Sequence, residues 1–210
     1  MAGKIITVAQ QKGGSGKTTV TANLAVAFVR QGLRVALLDT DPQGSLGRWF
    51  MTRIEGMDTP DMEFSTSSAW GVSYETTKLA REFDIVLVDT PPKADSDLRH
   101  ALRAGDMVLV PVASSHVDLW ATEGVLELAE RAGTGVAVVM NRTRPGTRLS
   151  AEVSEAAADM SLNVMDTALA NRVIYAETLG QGQGVQEVRK TPAREEIDAL
   201  AAEVLAFLND

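Results

Sequence analysis

Lys4-Ile5-Ile6-Thr7-Val8-Ala9-Gln10-Gln11-Lys12-Gly13-Gly14-Ser15-Gly16-Lys17-Thr18-Thr19 opens as an apolar run and closes at the head of a helix-like segment, Val20 to Arg30. Strand, glycine-rich loop and helix in that order form the context of a phosphate-binding loop. The glycines let the backbone curl so that successive N–H groups turn inward toward phosphate oxygens. The helix N-terminus adds unsatisfied donors and a partial positive charge. On this reading Gly13, Gly14, Ser15, Gly16, Lys17, Thr18 and Thr19 hold a nucleotide. Lys17 reaches the β- and γ-phosphates, and the Thr18 hydroxyl ligates Mg²⁺. Lys12 at the front of the loop is a second lysine that an ordinary loop of this kind does not require.

Two acidic motifs complete the pattern. Val35-Ala36-Leu37-Leu38-Asp39-Thr40-Asp41-Pro42-Gln43-Gly44-Ser45 ends an apolar strand in two carboxylates. Residues two apart on an extended chain face the same way, so Asp39 and Asp41 are expected to address one magnesium–water cluster. Phe83-Asp84-Ile85-Val86-Leu87-Val88-Asp89-Thr90-Pro91-Pro92 ends a second apolar strand in Asp89. Mg²⁺ keeps several waters, and an aspartate beside the phosphate loop can hold it through one of them.

Apolar β-branched runs alternate with helix-period segments along the chain. Strands are expected at 4–9, 34–39, 62–65, 84–89, 106–111, 135–140 and 162–165. Helices are expected at 17–31, 43–53, 69–82, 96–103, 119–131, 148–159, 171–179 and 193–208. Gly32 and Gly133 fall at helix ends, as left-handed caps. The glycine-rich stretch Leu179 to Gly184 reads as a surface turn. The strands are nearly continuous hydrophobic runs, which indicates a mainly parallel sheet covered on both faces. The expected class is a doubly wound α/β fold, one domain over residues 1–210, with ligands at the carboxyl ends of the strands.

Composition narrows the chemistry. The 210 residues include no cysteine, which excludes disulfides, thiolate zinc sites and cysteine nucleophiles. There is no run of about 18 apolar residues and no basic-then-apolar leader, so the cytoplasm is the expected compartment. A net charge of −8 argues against a protein that coats nucleic acid over its whole surface, though not against a local basic patch. His100 and His116 are not spaced with carboxylates as metal ligands. Trp49, Trp70 and Trp120 read as packing or interface residues.

The string Lys12-Gly13-Gly14-Ser15-Gly16-Lys17-Thr18-Thr19 resembles the deviant Walker A motif of the ParA/MinD family of ATPases. Asp39-Thr40-Asp41-Pro42-Gln43-Gly44-Ser45 resembles that family's first switch, and Asp89-Thr90-Pro91-Pro92 its Walker B. Val110 to Ser115, Val138 to Arg142 and Asn171 to Tyr175 fall in family order, so the resemblance runs nearly the full length. It is nearest to the short, ParF-like plasmid-partition proteins, which lack an N-terminal helix-turn-helix domain. Here Met1 leads directly into the first strand.

The resemblance implies ATP and Mg²⁺ as cofactors and slow ATP hydrolysis. It implies that Lys12 crosses the interface of an ATP-bound homodimer. Asp41 would orient the attacking water, Asp39 would support the water and metal network, Asp89 would hold Mg²⁺, and Asn141 would meet the adenine. It further implies nonspecific DNA binding by the dimer, association with the nucleoid, and a cargo-bound or centromere-binding partner that stimulates hydrolysis. Arg142, Arg144, Arg189 and Lys190 are the leading basic residues for DNA, with Arg148, Arg172 and Arg194 also considered.

Two other functions compete. A MinD-like membrane cycle needs a basic amphipathic C-terminal helix. The stretch Glu195 to Asp210 is amphipathic but acidic, so no membrane partner is expected and its apolar stripe should pack on the sheet. A metabolic P-loop enzyme needs an acceptor-binding constellation, and the sequence offers none.

Overall fold

The computed structural model describes residues 2–68, 70–92, 96–159 and 162–209. Met1, and Ala69 at the head of the helix expected over 69–82, lie outside them. Six strands form one parallel sheet: β1 (Lys4–Val8), β2 (Val35–Asp39), β3 (Glu63–Thr66), β4 (Ile85–Asp89), β5 (Met107–Ala113) and β6 (Gly135–Asn141). Their spatial order is β3-β2-β4-β1-β5-β6. The chain moves outward from β1 to β3, returns to place β4 beside β1, then continues on the other side. Strands β1, β2 and β4 are buried almost end to end because helices cover both faces.

Register decides where the chemistry collects. Val8 pairs with Asp89, and Asp39 pairs with Asp89 from the other side. The last residues of three adjacent strands therefore stand level, and the loops that follow leave the sheet at one place.

The helices are α1 (Lys17–Arg30), α2 (Ser45–Ile54), α3 (Gly71–Leu79), α4 (Ser96–Ala104), α5 (His116–Trp120), α6 (Glu123–Ala132), α7 (Arg148–Asp159), α8 (Val173–Gly180) and α9 (Pro192–Phe207). On one face α1 is buried from Val20 to Phe28, between the sheet and α9. Ala193, Ile197, Leu200, Ala201 and Val204 of α9 recur at helical spacing and are all buried in that core. The apolar stripe of the acidic C-terminal helix thus packs internally, as its sequence suggests. Gly32 and Gly133 adopt the expected left-handed conformation, with φ of 85° and 72°.

Three expectations are corrected. The strand expected at 162–165 is a single parallel bridge, Val138 to Val164, closed by Asn163 and Met165 around the backbone of Val138. The chain makes one more bridge, Thr143 to Ala170, and then turns into α8, so no ladder builds. The helix expected over 119–131 is two helices, because Ser115 caps α5 early and the chain turns at Ala121 and Thr122 before α6. The stretch 179–184 is not a plain surface turn. Gly182 is buried with φ of 69°, and a Cβ there would meet the Arg53 backbone at 2.4 Å.

Arg53 explains that packing. Its side chain is 3% exposed and makes paired hydrogen bonds to both Asp61 and Glu187, at 2.5–2.9 Å, with a further bond to the Gly182 carbonyl. Its guanidinium also lies 5.4 Å from the centre of the Trp49 ring. One cation thereby joins α2, the loop before β3 and the turn before α9. Removing one partner of a buried ion pair strands the others. Arg53→Ala should therefore cost about 3 kcal/mol of stability, measured by urea unfolding; a loss of only a few tenths would contradict the clamp.

Candidate nucleotide and magnesium site

The loop after β1 is shaped to receive phosphate. Gly14 and Gly16 hold φ of 77° and 96°, and a Cβ at Gly13 or Gly14 would meet nothing within 4 Å. Gly16 is different. A Cβ there would stand 2.3 Å from the Asn141 amide nitrogen. Asn141, the last residue of β6, donates from that nitrogen to the Ser15 carbonyl at 2.7 Å and braces the loop from behind. Gln10 shapes the loop entry by accepting from the N–H groups of Gln11 and Lys12.

Lys17 is 7% exposed, and its ammonium donates to the Gln10 carbonyl at 3.1 Å. Burial lowers its pKa, while Asp89 and Asp41 nearby oppose that shift. Thr18 donates to Asp89 Oδ2 at 2.6 Å. The other Asp89 oxygen is buried with no hydrogen-bond partner among the described residues. Burial pushes this carboxyl up to about 7; the Thr18 hydrogen bond opposes that, Asp39 adds to it, and Lys17 pulls it back. A buried acceptor beside a threonine hydroxyl and a phosphate loop fits a hydrated divalent cation. Thr18 and Asp89 would hold Mg²⁺, and the loop fits a polyphosphate.

Asp41 and Asp39 separate. Asp41 borders the cleft of about 340 Å³ over the loop, together with Gly13, Lys17, Thr18 and Thr19. Its carboxylate accepts from the Gln43 N–H at 2.9 Å. Asp39 is 3% exposed, and its two oxygens accept from the N–H groups of Asp41 and Gly47, each at 3.0 Å. The chain folds back over it, so Asp39 holds the Asp41 loop and the first turn of α2. Burial raises its pKa, and these backbone hydrogen bonds oppose that.

Lys12, at the front of the loop, has 39% of its side chain exposed, and its ammonium sits 2.8 Å from Asp118 of α5. Ser115 also hydrogen-bonds the Asp118 carboxylate. A second cavity of about 230 Å³ adjoins the loop, bordered by Gly16, Thr19, Val20, Asn141, Leu169 and Tyr175 among others. Its walls mix apolar side chains such as Leu169 and Ile197 with Asn141, Arg142 and Arg172, a lining that would suit a nucleotide base, and it is called the base cavity below.

Of the basic residues, Arg144 and Arg189 are exposed, and Lys190 is exposed and 3.7 Å from Glu195. Arg148 pairs with Glu152, and Arg194 lies 3.9 Å from Asp198. Arg172 is bound to Glu196 at 2.7 Å and borders the second cavity. Arg142 borders both the base cavity and the phosphate cleft.

A family model described as the CobQ/CobB/MinD/ParA nucleotide binding domain matches residues 6–185. The chain belongs to that family. It is 30% identical over 209 residues to maintenance of carboxysome distribution protein A of Halothiobacillus neapolitanus, covering 95% of each chain. It is 31% identical to the chromosome-partitioning ATPase Soj of Thermus thermophilus, covering 98% of this chain and 96% of the relative. Among solved structures, a McdA–ATP complex from Cyanothece superposes with a TM-score of 0.83 at 18% identity, over 98% of this chain and 97% of that one. The cell division ATPase MinD of Pyrococcus furiosus superposes with a TM-score of 0.81 at 20% identity, over 98% and 99%. Those two likenesses establish the ParA/MinD-type fold.

Sequence reasoning missed three residues whose contacts reach this ParA/MinD-type site: Gln10, Asp118 and Glu196. Gln10 alone had a local signal, lying where the strand enters the loop.

The Asp89 carboxyl carries a pH signature. Because its folded pKa is raised, its contribution to stability is fully present below about pH 4 and is lost as pH rises through about 7. Asp89→Asn removes that loss. In EDTA without nucleotide, the Tm advantage of Asp89→Asn over wild type should grow from pH 5 to pH 8, while Mg²⁺-dependent nucleotide binding disappears. An advantage that shrinks over that range would contradict the burial account.

Proposed function

We propose that this protein is a Mg²⁺-dependent ATPase that dimerises on ATP and positions or segregates a large cargo by switching its affinity for nonspecific DNA. The observation that carries this reading is the second lysine. Lys17 is buried at the end of the phosphate loop, while Lys12 at its front is 39% exposed and held by Asp118. A triphosphate facing its twin repels it strongly unless cations stand between them. Lys12 is the cation at that position, and leaving Asp118 would free it to cross to the partner copy.

The chemistry then divides among named groups. The amides of Gly13 to Thr19 and Lys17 bind the phosphates. Thr18 and Asp89 would hold Mg²⁺, which would supply neutralising charge to the phosphates. Asp41 orients a water in line with the γ-phosphate, and Asp39 keeps the Asp41 loop in register. With a carboxylate as the only polarising group, basal turnover is slow, and a cargo-bound partner raises it. The relatives named for carboxysome distribution and for chromosome partitioning support a positioning role. They also divide over the cargo. DNA contacts need phosphate binding without base readout, and exposed Arg144, Arg189 and Lys190 are the residues assigned to it. The protein is then cytoplasmic, and nucleoid-associated in the ATP state. A membrane cycle is disfavoured because the apolar stripe of α9 is consumed inside the core.

Light scattering tests the central step. Asp41→Ala should bind ATP, fail to turn it over and accumulate as a dimer. Adding Lys12→Ala should return it to a nucleotide-bound monomer, whereas an intact dimer would remove the trans role. Anisotropy with two unrelated duplexes tests the DNA arm. Binding should require ATP, ignore sequence and weaken by about 0.9 log units per log unit of salt for each phosphate neutralised. Arg189→Ala with Lys190→Ala should weaken it without affecting dimerisation; equal binding in ATP and ADP would remove the switch.

A further inference from the structure

Arg142 follows Asn141 at the end of β6 and has φ of 52°, the one non-glycine positive value among the described residues. A side chain in that region carries strain of about 1 kcal/mol or more, and such strain concentrates where a ligand is held. A specific contact maintains it, since the Arg142 N–H donates to the Asn141 side-chain oxygen at 2.9 Å. The other end of the same amide braces Ser15. The conformation of Arg142 is thereby coupled to the phosphate loop.

Its location is equally specific. Arg142 borders the base cavity and also the cleft over the phosphate loop, so it stands at the seam between base and phosphates. Two arginines border the base cavity. Arg172 is neutralised by Glu196, which also accepts from Tyr175 and from the Ala170 N–H. Among the described residues, no carboxylate pairs with Arg142. A permanently charged, unpaired guanidinium at such a seam suits the ribose and α-phosphate side of a nucleotide.

We propose that Arg142 is a nucleotide-binding residue, contacting the bound nucleotide between base and β-phosphate, and not part of the DNA surface. The inference rests on the reading of this cleft as the ATP site. It requires ADP and ATP to depend on Arg142 equally, because both carry the part contacted.

The experiment is calorimetric titration of ADP and of ATP with Mg²⁺, using wild type, Arg142→Gly and Arg142→Lys. Glycine relieves the left-handed strain, so Arg142→Gly should keep the wild-type Tm. Its affinity should fall about tenfold or more for both nucleotides. Arg142→Lys should recover part of that loss, and Arg148→Ala, which removes an exposed charge elsewhere, should change neither affinity. At saturating ATP, Arg142→Gly should bind DNA as wild type does. Unchanged nucleotide affinity in Arg142→Gly, or a loss confined to ATP, would overturn the proposal while leaving the ATP site intact. No ADP binding by wild type would remove the ATP site and this inference with it.

Discussion

The alignment of three strand ends is the constraint on which the rest depends. A parallel sheet gives its strands one direction, and the register places Val8, Asp39 and Asp89 at one level. The phosphate loop, the Asp41 loop and the Asp89 carboxylate need no further device to meet.

That concentration is electrostatically expensive. Asp39, Asp89 and Lys17 are each less than a tenth exposed, and burial disfavours every one of their charges. The fold resolves them differently. Asp39 is satisfied by two backbone N–H groups, Lys17 by a backbone carbonyl, and Asp89 only in half, through Thr18. Asp39, with both oxygens held by backbone N–H groups, fixes its own loop, whereas Asp89 keeps one buried oxygen open to a ligand. This difference separates two aspartates that look alike in sequence.

The parts legible in sequence were those with local causes. Glycine punctuation, helix starts and hydrophobic runs gave the phosphate loop, the strand ends at Asp39 and Asp89, and the internal stripe of α9. What stayed hidden came from long-range folding. The Asp39 role depends on the chain returning with the Gly47 N–H. Asp118 meets Lys12 across more than a hundred residues, as Glu187 meets Arg53. The bridge at Val164 read as a strand because its composition is that of one, but the chain turns away before a ladder builds.

The central claim is that one Mg²⁺–nucleotide complex engages the loops leaving β1, β2 and β4 together. Hydrogen exchange on the wild-type protein tests it most directly, comparing ATP with Mg²⁺ against ATP in EDTA. With Mg²⁺, amides over residues 12–19 and 40–47 should slow together, while in EDTA the slowing should be confined to residues 12–19. Slowing at 40–47 that is absent with Mg²⁺, or that does not depend on it, would contradict the account.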